Sequence, residues 1–217
     1  MVASRSVASD VRSATITAAT RLFAAHGFDG TALQDIADAV GVTKPAILHH
    51  YPSKEHIRQA VFDGILAHWN KTLPKLLLAA TASSDRFEAV FGELHRFFAT
   101  DPDRARLVVR ETLDRPAELR KLLRGAVRPW LSAVAQYIRA GKEAGRHHVD
   151  VDDEAYVLHI IQLVIAATAC AAATSPALER DPEARYDREL ARIARASLFS
   201  PQPESGRTGA RKRKEAR

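Results

Sequence analysis

The chain has 217 residues, 46% of them hydrophobic, a single cysteine and a formal net charge of +6. That content is enough for a folded core, and a lone Cys170 excludes an internal disulfide, in keeping with a reducing cytoplasm. The charge itself does not point to nucleic acid: residues 1–56 are net 0, residues 57–200 net +2 and residues 201–217 net +4, so most of the excess sits in the last segment.

Strand signals are nearly absent and helical periodicity recurs, so an all-α fold is expected. The first helix spans about residues 9–26, with Ile16, Ala19, Leu22, Phe23 and His26 on one face, and ends at Gly27. Short helices follow at about 32–39 and 45–50, then a long one at about 54–80 behind Pro52 and Ser53. Ser84 reads as the N-cap of a helix reaching Ala99, and Asp101 with Pro102 opens another to about Leu113. Pro116 opens a long segment ending near Gly141 to Gly145, and two more helices are expected at about 153–174 and 182–199. The apolar run from Val157 to Ala173 is interrupted by His159 and Gln162 and falls short of the roughly 20 residues a bilayer needs, so it reads as a buried helix and no membrane partner is expected. Residues 201–217 are rich in Pro, Gly, Ser and basic side chains and are expected to be disordered.

The segment Thr31 to His50 reads as two short helices around a tight turn. Thr31 with Gln34 three residues on forms a capping box, so the first of the pair starts there. Ala37 is small where a crossing helix needs close approach, and Gly41 can take the left-handed conformation of a sharp turn. Ile36, Val40, Val42 and Ile47 form the apolar side, leaving Gln34, Lys44, Leu48 and His49 outward, the arrangement groove reading requires. Thr43 or Lys44 caps the second helix, whose N-terminus carries free N–H groups and a positive dipole end. An αα-corner built only for packing would use the same small residue and glycine.

Over about residues 10–60 the chain resembles the tetracycline-repressor (TetR) family of transcriptional regulators: Ile16 to Gly27 is similar to its first helix, Thr31 to Val42 to its second helix and turn, and Thr43 to Glu55 to its recognition helix and the start of the fourth. The resemblance implies a homodimer that places its recognition helices in successive major grooves of a double-stranded operator and is released by a small-molecule effector. It implies that Thr31 and Lys54 contact phosphates and that Thr43, Lys44, Ala46, Leu48 and His49 face the groove. Leu48 stands where the family usually has tyrosine, so an apolar contact, for instance to a thymine methyl, is expected in place of a phenolic one, and Pro45 stands where a small glycine is common, which removes an N–H for phosphate.

Three regions follow: 1–56 for DNA binding, 57–200 for regulation and dimerisation, and 201–217 as a basic tail. Candidate effector contacts are Trp69, His95, Arg110, Trp130, Tyr137, His159 and Gln162, with Arg110 turned inward from the apolar stretch Leu107 to Val109 to meet an anionic ligand. The pair His147 and His148 near Asp150, Asp152 and Asp153 lacks firm ligand spacing, and Asp152 or Asp153 reads better as an N-cap, so neither metal nor cofactor is expected. No phosphate loop, zinc-protease motif or credible triad appears, so an enzyme is not expected. The alternative is a helical small-molecule-binding dimer without sequence-specific DNA binding.

Overall fold

The structure is a computed structural model that describes residues 2–79 and 83–201; the basic tail from residue 202 onward lies outside the described residues. These residues form ten α-helices, one 3-10 turn at Ser175–Ala177, and no strand beyond an isolated bridge between His147 and Phe199. The fold is all-α, with an N-terminal helix-turn-helix and a C-terminal helical body.

The helical head comprises α1 (Val2–His26), α2 (Leu33–Val40) and α3 (Lys44–His50), joined to the N-terminal part of α4 (Lys54–Ala79). α1 begins ahead of the expected residue 9, because apolar periodicity marks only the stretch of a helix that has something to bury. Ala19, Phe23, Ile36, Ala37, Ile47, Ile57 and Phe62 form one buried cluster. Ala37 is fully buried at the crossing of α2 and α3, where its small side chain permits the approach. Gly41 follows with φ of 77°, its N–H donating to the Asp38 carbonyl at 3.2 Å while Val42 N–H donates to the Ala37 carbonyl at 3.0 Å. These two bonds satisfy carbonyls at the end of α2 and turn the chain into α3.

The body comprises the rest of α4, α5 (Ser83–Ala99), α6 (Pro102–Asp114), α7 (Pro116–Ala126), α8 (Arg128–Glu143), α9 (Asp153–Thr174) and α10 (Pro182–Ala196). Its core gathers Phe87, Phe91, Phe98, Leu131, Ile138, Val164 and Leu198. α6 belongs to both parts: Leu107 joins the head's cluster, as does Leu119 of α7, and Val108 packs against both clusters.

Two expectations need correction. The segment opened by Pro116 is two helices, broken at Val127, because Pro129 in the first turn of α8 has no N–H for a helical bond and its ring crowds the preceding turn. α9 is not buried all round: Val157, Val164, Ile165 and Thr168 face the core, whereas Leu158 and Leu163 remain 40% and 36% exposed. α9 is long and apolar enough to cross a membrane by length and composition, yet it packs against α5, α6, α8 and α10. At its start Asp152 caps the helix, its carboxylate accepting from the N–H groups of Glu154 at 3.1 Å and Ala155 at 2.8 Å.

Candidate nucleic-acid interface and ligand cavity

α3 presents a short exposed face. Its N-cap is Thr43, whose side-chain oxygen accepts from Ala46 N–H at 3.4 Å, and Pro45 occupies the first turn. Ile47 is fully buried and anchors the helix on the head's core. The opposite side leaves Thr43, Lys44 and His49 exposed and Ala46, Leu48 and His50 half-buried, with the His49 and His50 rings 5.4 Å apart and edge to face. On α2, exposed Gln34 donates its Nε2–H to the Asp38 carboxylate at 2.7 Å.

The expected capping box is displaced. Thr31 is 1% exposed, and its hydroxyl donates to the Gly27 carbonyl at 2.8 Å, with the Leu22 carbonyl at 3.3 Å. It therefore neither caps α2 nor reaches a phosphate with its hydroxyl; the N-cap is Ala32, whose N–H donates to the Asp35 carboxylate at 2.7 Å. Lys54 also works inward. Its ammonium donates to the carbonyls of Phe28 at 2.7 Å and Thr31 at 2.9 Å and lies 4.3 Å from the Phe28 ring centroid, leaving one of three donors for anything outside.

Phe28 is a junction the sequence did not disclose. Besides Lys54, Arg115 stands 4.4 Å from its ring centroid and Arg58 5.9 Å. Arg58 of α4 forms an ion pair with Glu111 of α6, both buried, with Glu118 of α7 at 3.7 Å. Burial pushes the Glu111 carboxyl up from its ordinary value, against the opposing pull of Arg58 and Arg115. Opposite charges 53 residues apart on separate helices leave no local pattern to read.

Beneath this junction the body holds a cavity of about 300 Å³. It brings together Trp69, Trp130, Tyr137 and Gln162 of the expected contacts. It excludes three others. Arg110 does not turn inward: it is exposed and donates to the Ala25 carbonyl at 2.9 Å, because Val108 and Thr112, four residues apart on one face of α6, take the cavity side and Arg110 midway between them falls on the opposite side. His95 pairs with Asp187 at 3.2 Å across α5 and α10, and His159 is exposed on α9. The unforeseen lining includes Arg86, Thr112 and Tyr156. Tyr156 donates its hydroxyl to the Ala194 carbonyl at 2.6 Å, and burial pushes its pKa up. Apolar side chains from α4 to α9 supply the rest, and their periodicity marks burial without telling a packed core from a hollow one.

An αα-corner with a pinned, polar, outward second helix, carried on a hollow helical body, defines a helix-turn-helix protein with a candidate ligand chamber. Residues 16–61 match the family model for bacterial regulatory proteins of the tetR family. The HTH-type transcriptional regulator RutR of Escherichia coli (strain K12) is 41% identical over 58 residues, 27% of each chain, so the match spans about a quarter of that relative's length. Among solved structures, the ketosteroid transcriptional regulator KstR2 of Mycobacterium tuberculosis is similar with a TM-score of 0.67 at 16% identity, over 88% of this chain and 95% of that one. FadR from Bacillus subtilis, solved in complex with stearoyl-CoA, gives 0.66 at 16% identity over 85% and 97%. The match to the tetR family thus rests on residues 16–61, and the likeness of the remaining helices to these structures is one of fold.

Proposed function

We propose that the chain is a DNA-binding transcriptional regulator, a repressor that holds its operator as a homodimer in the cytoplasm and is released by a small-molecule effector. The observation that carries this reading is the outward face of α3, with Lys44 and His49 exposed on a helix whose buried Ile47 fixes its aim. Lys44 serves phosphate through its ammonium and its own backbone N–H, since Pro45 has no N–H and that of Ala46 already donates to Thr43, and Thr43, Gln34, Ala46, Leu48 and His49 meet the groove. Lys54 contributes to phosphate binding only through its remaining donor.

The chain divides functionally at about residue 56, with the effector sensed in the 300 Å³ cavity through Trp69, Trp130, Tyr137 and Gln162. The second copy docks on α9 and α10, where Leu163 and Ile193 are 36% and 43% exposed on an otherwise folded body. The chain acts by binding, without catalysis and without a resident cofactor. The relatives' names as regulators support this, as does the stearoyl-CoA held by the FadR structure. A genomic footprint of the full chain tests it: a palindrome with half-sites about one helical turn apart or a multiple is expected, and protection with no sequence preference at physiological salt would favour the ligand-binding dimer without an operator.

A further inference from the structure

Resting on that sensing role, we infer that the cavity takes a straight-chain, largely aliphatic molecule with a polar group at one end only, the chain lying along α4 and α5 and the polar end held at a mouth on the side of α6, α7 and α9. The shape comes from the walls. On α4 the lining residues Phe62, Ile65, Leu66, Trp69, Leu73 and Leu77 share one face and form an unbroken stripe, roughly 22 Å long at about 1.5 Å per residue. α5 lines the cavity from Arg86 to Phe98, roughly 18 Å. About 300 Å³ drawn out along two such walls is a slender channel, which a chain fills lengthwise and a compact ring of the same carbon number does not.

The mouth follows from exposure. Among the described lining residues only Thr112 of α6, Leu123 of α7, and Leu158 and Gln162 of α9 are exposed; those of α4, α5 and α8 are buried or half-buried. Two of these four are polar. The Gln162 amide can donate and accept there, and the Thr112 oxygen can still accept while its hydroxyl donates to the Val108 carbonyl at 2.7 Å. The other polar lining groups are taken or out of reach: the Tyr156 hydroxyl donates to the Ala194 carbonyl, Arg86 and Tyr137 already interact within the protein, and the indole nitrogen of Trp130 is buried. Toward the head the lining ends at Phe62 and Leu119, both buried in the head's own cluster. A second polar group at the far end of the ligand would therefore lose its water against apolar side chains.

Both tryptophans of the chain, Trp69 and Trp130, line the cavity, so their emission reports occupancy. Fluorescence titration of the full chain with n-hexanol, n-octanol, n-decanol, cyclodecanol and a decanediol with a hydroxyl at each end tests the inference. Affinity is expected to rise about three- to fourfold per methylene from n-hexanol to n-decanol. Cyclodecanol, with the same carbons closed into a ring, should bind about tenfold or more below n-decanol once both are corrected for transfer from water to octanol. The diol should also fall about tenfold or more below n-decanol, since one hydroxyl must enter the apolar channel. Val90→Phe thickens the α5 wall and should abolish the gain between n-octanol and n-decanol while leaving n-hexanol within about twofold, which also reports that the variant is folded. If it does not fold, Val134→Phe makes the same test from α8.

A flat affinity from n-hexanol to n-decanol, cyclodecanol or the diol binding as tightly as n-decanol, a chain-length dependence unchanged by the wall variant, or no binding of any probe overturns the inference. Anisotropy of the footprinted operator separates it from the sensing role. Chain binding that leaves DNA affinity unchanged removes the sensing role and supports the ligand class; release of DNA by cyclodecanol and not by n-decanol does the reverse.

Discussion

His147 is 1% exposed between the Tyr137 and Phe199 rings, with Nδ1 3.0 Å from the Ile138 carbonyl. Burial holds its pKa below the ordinary 6.5, outweighing the bond to Ile138, and nearby Arg146 pulls the same way. The neutral ring therefore stabilises the fold above the unfolded value, and that contribution is lost as pH falls through about 6.5 toward the lower folded value. Thermal melts at pH 7.5 and 5.5 should show a larger loss for the wild type than for His147→Phe, and equal losses would mean that His147 titrates alike in the folded and unfolded chain. On the DNA side, Lys44→Ala should weaken binding to all sequences and reduce the salt slope by about one. His49→Ala should instead relax base preference by about 1–3 kcal/mol, measured as the ratio of operator to scrambled-site affinity.

Among the elements, the corner between α2 and α3 was legible because its determinants are local: Ala37, Gly41, Ile36 and Ile47 do in the fold what their spacing announces. The start of α2 was misjudged by one or two residues, since a threonine before a helix signals a cap equally well when its hydroxyl bonds backward, as that of Thr31 does to Gly27. The inward reading of Arg110 failed for a similar cause. An arginine in an apolar stretch can lie on either side of a helix, and the carbonyl of Ala25 that decided it is 85 residues away. The pair joining α4 to α6 was equally out of reach and now makes its own prediction. Glu111→Leu leaves the buried Arg58 cation with only the half-exposed Glu118 at 3.7 Å and should cost up to about 3–5 kcal/mol, whereas Arg58→Met with Glu111→Leu should recover most of that. Urea denaturation of both variants checks it, and a double variant as unstable as the single one would mean the pair does more than cancel its own charges.

At the scale of the whole molecule, the exposed apolar side of α9 and α10 is the surface on which the proposed dimer depends, and the two touching cores bear on cooperativity. If the proposed dimer forms there, Leu163→Glu should convert it to a monomer, read as a halved mass in light scattering behind size exclusion, with the helical spectrum unchanged. Ile65 and Val108 pack against both clusters, so the chain should melt in a single transition by calorimetry. Two separated transitions would show that the head unfolds on its own.

The reach of α6 and α7 into the head bears on how such proteins can be recombined. Leu107 and Leu119 complete the buried cluster that also holds Ile47 of α3, and Glu111 and Arg115 close the charge around Phe28. A chimera cut near residue 56 would transplant a head with a missing floor. A graft that keeps those four positions with their head moves a finished part, so the seam for swapping specificities in this protein follows contacts in space and not a single point along the chain.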